Sequence, residues 1–511
     1  MAYHYIGGMR DQQFLLPVSM RDWLAEGHLA WFVIDVVERV DTTALHALHP
    51  NDGPGRPAYD PDMMLTMLLY AYMMGQRSSR RIEAACRTDA AYRVICGDVV
   101  PDHATIARFL LDHQDAIKGV FVEVLRLCAA AGLVTVGTVA VDGTKIGSDA
   151  ALDQNRSAQW IRREVEKILS EARQTDQDED GQPSLYAADE LPAQLSSATG
   201  RLARLEAALA LIEAQDAAAA AETEARAAKA RVEAAAGRKL RGRKPKDPHA
   251  ALARAEADET AVRVKARHRA NAEHADDPDA DIDAAAIEAD VAEAVEADPD
   301  VKAAVAATAT ARAAAQDVDT AKTRANVTDP QSRIMNTATG WVQGYNAQAM
   351  VNDQQIIIAC HLSQDANDVG LYQPMVDATH DTLSRAGITE PIGLVLADAG
   401  YWSQDNATCD GPDRLIATTK DWKQRRAARE LGTTQGDPPK GATPLEAMEH
   451  RLRTAEGAAA YAMRSHTVEP VFASKSNHDF RRFRRRGLEA AASEWALMAT
   501  AHNLGKLHRA C

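Results

Sequence analysis

Cysteine and long apolar runs are scarce in this chain of 511 residues. The six cysteines are scattered and form no C-x-x-C pair, which argues against a disulfide framework or a structural zinc site and suits a reducing cytosol. No apolar run reaches the roughly 18 residues of a membrane span, and residues 1–20 lack the apolar core of a signal peptide. We therefore expect a soluble intracellular protein with no membrane association.

Basic and aromatic residues are also too few for two classes of protein. The formal charge is −15, from 58 Lys and Arg against 73 Asp and Glu. This is not the balance of a simple basic nucleic-acid coat protein, although it allows local basic patches. Aromatic residues make up only 5% of the chain and provide few sugar-stacking platforms, so a glycosidase with paired carboxylates is the least favoured enzyme class.

Composition divides the chain into three regions. Residues 1–135 contain apolar segments of helical spacing and predict a helical N-terminal DNA-binding domain. Residues 153–325 are dominated by Ala, Glu, Arg and Asp, which predicts a helical and partly disordered insertion with little core of its own. Residues 136–152 and 326–511 contain apolar strands between helical stretches and predict one α/β domain.

Two segments of the N-terminal region, 77–97 and 100–114, are candidates for a DNA-binding element. They predict either a helix–turn–helix pair or an ordinary helical bundle, and the sequence leaves both open. In the first case Asp102 caps a helix, and three side chains project outward: Thr105, Arg108 and His113.

The insertion contains one long helical pattern and one basic run. Residues 198–236 fit an amphipathic or coiled-coil helix, whereas the acidic stretch 276–300 is expected to be mobile. In the run GRKLRGRKPKDP (237–248), Arg241 and Arg243 flank a glycine as in the Arg-Gly-Arg-Pro core of an AT-hook, whose arginines bind a narrow minor groove. An extra lysine before the proline weakens this match, and a solvated linker is the favoured alternative.

Apolar sequence carries three carboxylates in the α/β region. Asp142 leaves the apolar strand VGTVAVDGTKI (136–146), and Asp398 follows the strand in PIGLVLADAGYWS (391–403). Glu469 lies between valines in a late helical region. A charged carboxylate is costly in such places unless it is solvated, hydrogen-bonded or bound to a cation.

Convergence of these carboxylates requires a counter-charge, because their repulsion would otherwise raise their pKa values. Mg²⁺ prefers oxygen ligands and also binds phosphate oxygens. Two such ions can activate a water and stabilise the leaving oxygen of a phosphodiester. The arginine-rich sequence after Glu469, which includes Arg481 and Arg482, suits a phosphate backbone beside that centre.

The stretch GYNAQAMVNDQQIIIACHLS (344–363) predicts a β-hairpin. Two apolar strands flank Asn352 and Asp353, which tolerate the left-handed conformations of a tight turn. Three residues at the start of this region are expected either to contact an end base of DNA or to pack on the sheet: Trp341, Gln343 and Tyr345.

Taken together, these stretches resemble an insertion-sequence DDE transposase, closest to insertion-sequence family eleven eighty-two. The resemblance follows the expected order along most of the chain. It is carried by RDQQFLLPVSMRDWL (10–24), YDPDMMLTMLLYAYMMGQRSSRRIE (59–83), PDHATIARF (101–109), VAVDGTKI (139–146), DPQSRIMNTATGWVQGYNAQAMV (329–351), LVLADAGYWS (394–403), VEPVF (468–472) and RRFRRRGLEAAASEWALMATAHNLGKL (481–507).

The resemblance implies a ribonuclease-H-like catalytic domain, a mixed sheet with flanking helices, in which Asp142, Asp398 and Glu469 form the catalytic and metal-binding triad. It implies nicking and strand transfer at the inverted repeats of the element with two Mg²⁺ ions, for which Mn²⁺ is a possible substitute. Double-stranded DNA is the implied partner, a homodimer the expected state in the DNA complex, and the nucleoid of the bacterial cytoplasm the expected location. A Tyr–Arg–Glu–Lys signature surrounds the last acid in the wider superfamily, and its counterparts here are Tyr461, Arg464, Glu469 and Lys475.

The sequence leaves three alternatives open. Glu494 rivals Glu469 as the third acid, although a surface or packing role on the C-terminal helix is favoured for it. The spacing around Lys475 departs from the signature, which leaves its role open and allows an inactive copy or a metal-dependent nuclease without strand transfer. The helical N-terminus and residues 198–236 also allow a non-catalytic DNA-binding or coiled-coil assembly protein.

Overall fold

The structure is a computed structural model that describes most of the chain in two compact units. The first unit takes its described residues from the chain up to Gln154, from residues 199–200 and from Asn326 onwards. The second takes its described residues from 155–178 and from Arg201–Ala325. Within the described residues, no helix has both the length and the hydropathy that crossing a bilayer requires. The described residues are 19–48, 58–178, 199–236, 248–275, 284–316, 323–337, 340–419, 421, 432–477 and 480–510.

Among the described residues, the first unit combines helices with a six-stranded sheet, and the second is mostly helical. The strands are β1 Thr138–Gly147, β2 Asn155–Ser157, β3 Arg324–Asn326, β4 Arg333–Thr337, β5 Gly340–Asn352, β6 Ile357–Ser363, β7 Leu394–Ala397 and β8 Asp413–Ile416. The helices are α1 Leu29–Val37, α2 Thr43–His46, α3 Pro61–Met73, α4 Ser79–Thr88, α5 Ala90–Ile95, α6 His103–Asp112, α7 Gln114–Ala130, α8 Ala158–Asp178, α9 Thr199–Ala235, α10 Pro248–Ala275, α11 Ala284–Ala297, α12 Pro299–Gln316, α13 Tyr372–Arg385, α14 Gln404–Thr408, α15 Pro444–Arg453, α16 Ala455–Ala462, α17 Arg464–Thr467, α18 Glu469–Asn477 and α19 Leu488–Ala510.

Helices α1 to α7 precede the sheet and share one hydrophobic core with it. Helix α3 is buried over most of its length, as its apolar sequence predicts. Asp102 caps α6 by accepting a hydrogen bond from the Thr105 amide at 2.9 Å, and Arg108 is exposed. The prediction that His113 projects outward is wrong: it is 1% exposed, and its Nδ1 lies 2.9 Å from the Phe109 carbonyl oxygen, because it joins α6 to α7 inside the core.

The sheet of the first unit is mixed. Its order is β4-β5-β1-β7-β8, with β6 also paired to β5. Strands β5 and β6 are antiparallel to their neighbours, whereas β7 is parallel to both β1 and β8. Parallel neighbours require crossover connections, and α14 lies in the one between the parallel strands β7 and β8. This mixed sheet with flanking helices is consistent with a ribonuclease-H-like domain.

The predicted hairpin is confirmed as β5 and β6. Asn352 ends β5, and its Oδ1 accepts a hydrogen bond from the Ile356 amide at 2.8 Å. The left-handed residue of the turn is Gln355, with φ 62°, rather than Asn352 or Asp353, because the connection is longer than a two-residue turn.

The second unit consists of helices α8 to α12 and the paired strands β2 and β3. The long helix expected over 198–236 is found as α9, and a coiled-coil partner for it stays a prediction. Buried alanines pack α9 against α10. Residues 284–297 of the acidic stretch 276–300 form α11, with Val291 and Val295 buried, and the expected mobility of that stretch stays a prediction. Arg241 and Arg243 lie outside the described residues.

Candidate functional site

Asp142 and Asp398 lie side by side on neighbouring parallel strands. The last residue pair that joins β1 to β7 is Val141 and Ala397, so the next residue on each strand is one of the two acids. Asp398 follows the end of β7 as predicted. Asp142 does not end its strand, since β1 continues to Gly147 by pairing with β5. The prediction of a strand end is thus correct for Asp398 and wrong for Asp142. Both carboxylates lie level with the end of β7.

Arg464 connects Asp142 to the third acid. Its Nη2 lies 2.7 Å from Asp142 Oδ2, and its Nη1 lies 3.6 Å from Glu469 Oε1. Glu469 is the first residue of α18, where a carboxylate is favoured by the helix dipole. Its side chain is 59% exposed, so it leaves the apolar face that its neighbours Val468 and Val471 bury.

Asp142 is a buried carboxylate with two further carboxylates nearby. Its pKa is raised to about 6, chiefly by burial and also by the Asp398 and Asp368 carboxylates, against the opposing charge of Arg464. The Gly143 amide also donates a hydrogen bond to Asp142 Oδ1 at 2.8 Å. A cation bound at this position would therefore be favoured by the charge that is already there.

The donor set fits a divalent cation chemically. Three carboxylates offer the hard oxygen ligands that Mg²⁺ prefers. The three carboxylates do not surround one point. Within the described residues, the only group of three or more His, Cys, Asp or Glu side chains whose ligand atoms lie within 4.8 Å of one another is His46, Asp60 and Asp62. Carboxylates repel one another without a cation between them, and here the Arg464 guanidinium takes the place between Asp142 and Glu469.

A second polar network, which the sequence reasoning missed, lies beside Asp142. Asp368 accepts hydrogen bonds from Asn346 Nδ2 at 2.7 Å and Gln348 Nε2 at 3.1 Å, and Lys145 Nζ lies 3.3 Å from it. Buried Tyr401, whose pKa is raised well above its usual value by burial, donates to Gln348 Oε1. The available signal was the alternation of Asn346 and Gln348 with apolar residues along β5, which places both amides on one face of the sheet.

Gly143 is the position in this network that we expect to tolerate substitution least. A Cβ built there would lie 2.0 Å from Gln348 Nε2 and 2.9 Å from Gln348 Cδ. The Gln348 side chain cannot give way freely, since it is buried and hydrogen-bonded. We expect Gly143→Ala to lower the free energy of unfolding by about 1–3 kcal/mol, measured by urea denaturation. Gly137→Ala is the control, because nothing lies within 4 Å of its Cβ, and equal destabilisation of both variants would contradict the prediction.

Glu494 is neither at the surface nor beside the other acids. It is 1% exposed, and its Oε1 lies 3.1 Å from Arg77 Nη1. Its Oε2 accepts the amide hydrogens of Arg484 and Arg485 at 2.8 and 3.2 Å. The environment of Glu494 thus fits a packing role better than the role of a third catalytic acid.

The remaining candidates are distributed as follows. Tyr461 is half-buried in α16, and Lys475 lies in α18, where its side chain is outside the described part of the chain. Gln343 and Tyr345 pack in the sheet: Gln343 Nε2 donates to Ser332 Oγ at 2.8 Å, and Tyr345 Oη donates to a buried carboxylate. Trp341 is 64% exposed, so only this member of the three is available to a partner.

Two family models match separate parts of the chain. One is described as a transposase domain (DUF772) and matches residues 18–111, and the other is described as a transposase DDE domain and matches residues 417–508. The second includes Glu469 and Arg464, but neither includes Asp142 or Asp398. No curated protein and no solved structure matches the chain. The two models support an insertion-sequence transposase that acts on DNA.

Proposed function

We propose that this chain is a DDE transposase that binds the terminal inverted repeats of its element and catalyses metal-dependent strand cleavage and transfer. The observation that carries the proposal is the pairing of Asp142 with Asp398 on adjacent parallel strands, with Arg464 leading from Asp142 to Glu469. The match of residues 417–508 to a transposase DDE domain supports the same chemistry. Membership of insertion-sequence family eleven eighty-two is part of the proposal.

The roles of the residues follow from their positions. Asp142 lies beside Asp398 and is linked to Glu469 through Arg464, so these three carboxylates would hold the cations. Mg²⁺ held there would supply activation of the attacking water or 3′ hydroxyl and stabilisation of the leaving oxygen. Within the described part of the chain, the buried Nε of Arg464 has no hydrogen-bond partner. The Arg464 guanidinium would bind a phosphate oxygen of the DNA next to the carboxylates.

The proposal includes the partners of the enzyme. Double-stranded DNA is the substrate, both as element ends and as target, and a homodimer would hold two ends during transfer. Such an enzyme would act at the nucleoid in the bacterial cytoplasm. Tyr461 and Lys475 are proposed DNA contacts on the strength of the resemblance alone, and so are Arg241 and Arg243.

The test is cleavage of a labelled duplex that carries the DNA flanking the coding sequence, where the element ends must lie. We expect nicking at the end of the repeat and joining to a target duplex with Mg²⁺ or Mn²⁺, and neither reaction with EDTA or Ca²⁺. Cleavage without joining would indicate a nuclease that lacks strand transfer. Binding of the duplex without any cleavage would leave a non-catalytic DNA-binding protein.

A further inference from the structure

We propose that the arginine segment, residues 481–486, is a rigid clamp on the DNA backbone and that the buried Arg77–Glu494 pair is the positioning device that holds it. This inference rests on the proposed function, because it takes DNA as the substrate. It assigns a role to Glu494 other than metal binding.

The arginine segment is joined to the end of the strand that carries Asp142. The Gly147 amide donates to the Arg481 carbonyl oxygen at 3.2 Å, and the Phe483 amide donates to the Gly147 carbonyl oxygen at 2.7 Å. Phe483 is fully buried. The segment therefore pairs with the end of β1 through an isolated bridge between Gly147 and Arg482.

The Arg77–Glu494 pair hydrogen-bonds the backbone in the middle of the arginine segment. Arg77 Nη1 donates to the Arg482 carbonyl oxygen at 2.9 Å, and Glu494 Oε2 accepts the amides of Arg484 and Arg485. Both side chains of the pair are almost completely buried, with 4% and 0% exposed. A buried carboxylate that accepts two adjacent amides fixes the direction of the chain between them.

The chain that follows the segment is held in the same way. Gly487 has φ 87°, a left-handed conformation that glycine adopts without strain. Its amide donates to Asp329 Oδ1 at 3.2 Å, and the Leu488 amide donates to Gln331 Oε1 at 2.7 Å. Residues of the motif DPQSRIM thus anchor the exit of the arginine segment.

Cations project from this fixed backbone. Arg481, Arg482, Arg484 and Arg486 are exposed, whereas Arg485 turns inward and donates to Ser493 Oγ at 2.7 Å. Among the described residues, the guanidinium groups of Arg481 and Arg484 have no ion-pair partner. Unpaired guanidinium groups on a rigid backbone suit phosphate oxygens, because they displace condensed counterions from DNA at little cost in conformational entropy.

The distance from the acids limits which phosphates the segment can reach. Gly147 lies five residues beyond Asp142 on β1, or roughly 16 Å at a rise of roughly 3.3 Å per residue. DNA has one phosphate per roughly 3.4 Å of axis on each strand. The contacted phosphates therefore lie within about five base pairs of the cleaved bond, so the clamp would hold the DNA close to the reacting phosphate.

The experiment measures binding of the full-length protein to a labelled duplex of arbitrary sequence as a function of salt concentration. We expect Arg481→Ala/Arg484→Ala to weaken binding several-fold and to reduce the slope of log K against log salt by about two, because two guanidinium groups no longer neutralise a phosphate each. Lys440→Ala/Arg509→Ala is the charge-matched control, since it removes two cations from exposed positions outside both the N-terminal helical domain and the arginine segment. An unchanged slope, or the same change in the control, would overturn the clamp.

The positioning role of Glu494 needs its own measurement. We expect Glu494→Gln to reduce the salt slope and to speed hydrogen exchange at the Arg484 and Arg485 amides. Adding Arg481→Ala/Arg484→Ala to that variant should then change the slope by less than it does in the wild type. Fully additive effects would exclude positioning. Glu494→Asp, which keeps the charge and shortens the reach, replaces Glu494→Gln if the latter does not fold.

The outcome separates this inference from the proposed function. A wild type that cleaves and joins DNA, with the salt slope unaffected by removal of the two arginines, would sustain the function and refute the clamp. A wild type whose salt slope depends on those arginines but which never cleaves would sustain the clamp and refute the catalytic proposal.

Discussion

Replacement of Asp142 by asparagine is expected to abolish cleavage without destabilising the protein. In the proposed mechanism Asp142 is a metal ligand, and its loss removes several kcal/mol of transition-state stabilisation, which corresponds to a rate at least about a thousandfold lower. DNA binding should persist, because the arginine segment is untouched. The measurement is the rate of Mg²⁺-dependent cleavage of the element-end duplex. Asp381→Asn, an exposed acid on α13, is the control and should cleave at the wild-type rate.

The effect of Asp142→Asn on stability depends on pH in a defined direction. Asp142 has a pKa of about 6 in the folded protein, above its usual value of 3.8. The charged form of Asp142 is therefore less favourable in the folded protein than in the unfolded chain. As a result, stability that is present below pH 4 is lost as the pH rises through 6. Removing the charge should leave the variant up to about 3 kcal/mol more stable than the wild type at pH 7, and the two should converge below pH 4.

Melting curves against pH, with and without Mg²⁺, test this statement. Mg²⁺ should raise the melting temperature of the wild type at pH 7 and have little effect on the variant. A variant that cleaves at the wild-type rate would exclude Asp142 from the catalytic triad. A variant that melts well below the wild type at pH 7 would show instead that the carboxylate stabilises the fold.

Arg77→Met is expected to be the most destabilising of the single substitutions considered. It leaves Glu494 buried without its cation, and removal of one partner of a buried ion pair costs about 3–5 kcal/mol. It also removes the donor to the Arg482 carbonyl oxygen and the contact between Arg77 and the Phe480 ring at 4.4 Å. Urea denaturation at pH 7 measures the decrease in the free energy of unfolding.

Arg87→Met provides the comparison. Arg87 pairs with Glu83 one turn away on α4 at 2.7 Å, and its side chain is 60% exposed. Exposed pairs of this kind contribute at most about 1 kcal/mol. Combining Arg77→Met with Glu494→Gln should restore part of the stability, because no buried charge is then left unpaired. A cost for Arg77→Met no larger than that for Arg87→Met would contradict the buried pair as a determinant of stability.

The sequence predicts those parts of the molecule that depend on local pattern. The β5–β6 hairpin follows from its apolar strands, and Asp398 follows from an apolar strand that ends in an acid. The burial of Glu494 could not be predicted, because its partner Arg77 lies 417 residues away in the chain. No pattern of spacing identifies such a pair, which forms only when α19 packs against the N-terminal helices.

The same limit explains the errors at single residues. Asp142 looks like a strand end because polar residues follow it, yet β5 continues to pair with β1 and keeps the strand extended to Gly147. His113 looks exposed because it ends an amphipathic helix, yet the next helix begins at Gln114 and buries it. In each case a tertiary neighbour, absent from the local sequence, decides the outcome.

The junction between the two units has a consequence for the history of this gene. The chain leaves the first unit at Gln154 and returns beside it, since the Val327 amide donates to the Gln154 carbonyl oxygen at 3.1 Å and Asn326 Nδ2 donates to the Ala151 carbonyl oxygen at 2.8 Å. Because entry and exit meet, the length of the intervening chain hardly affects the cost of closing the loop. Evolution can lengthen, shorten or exchange that stretch while the mixed sheet keeps its register.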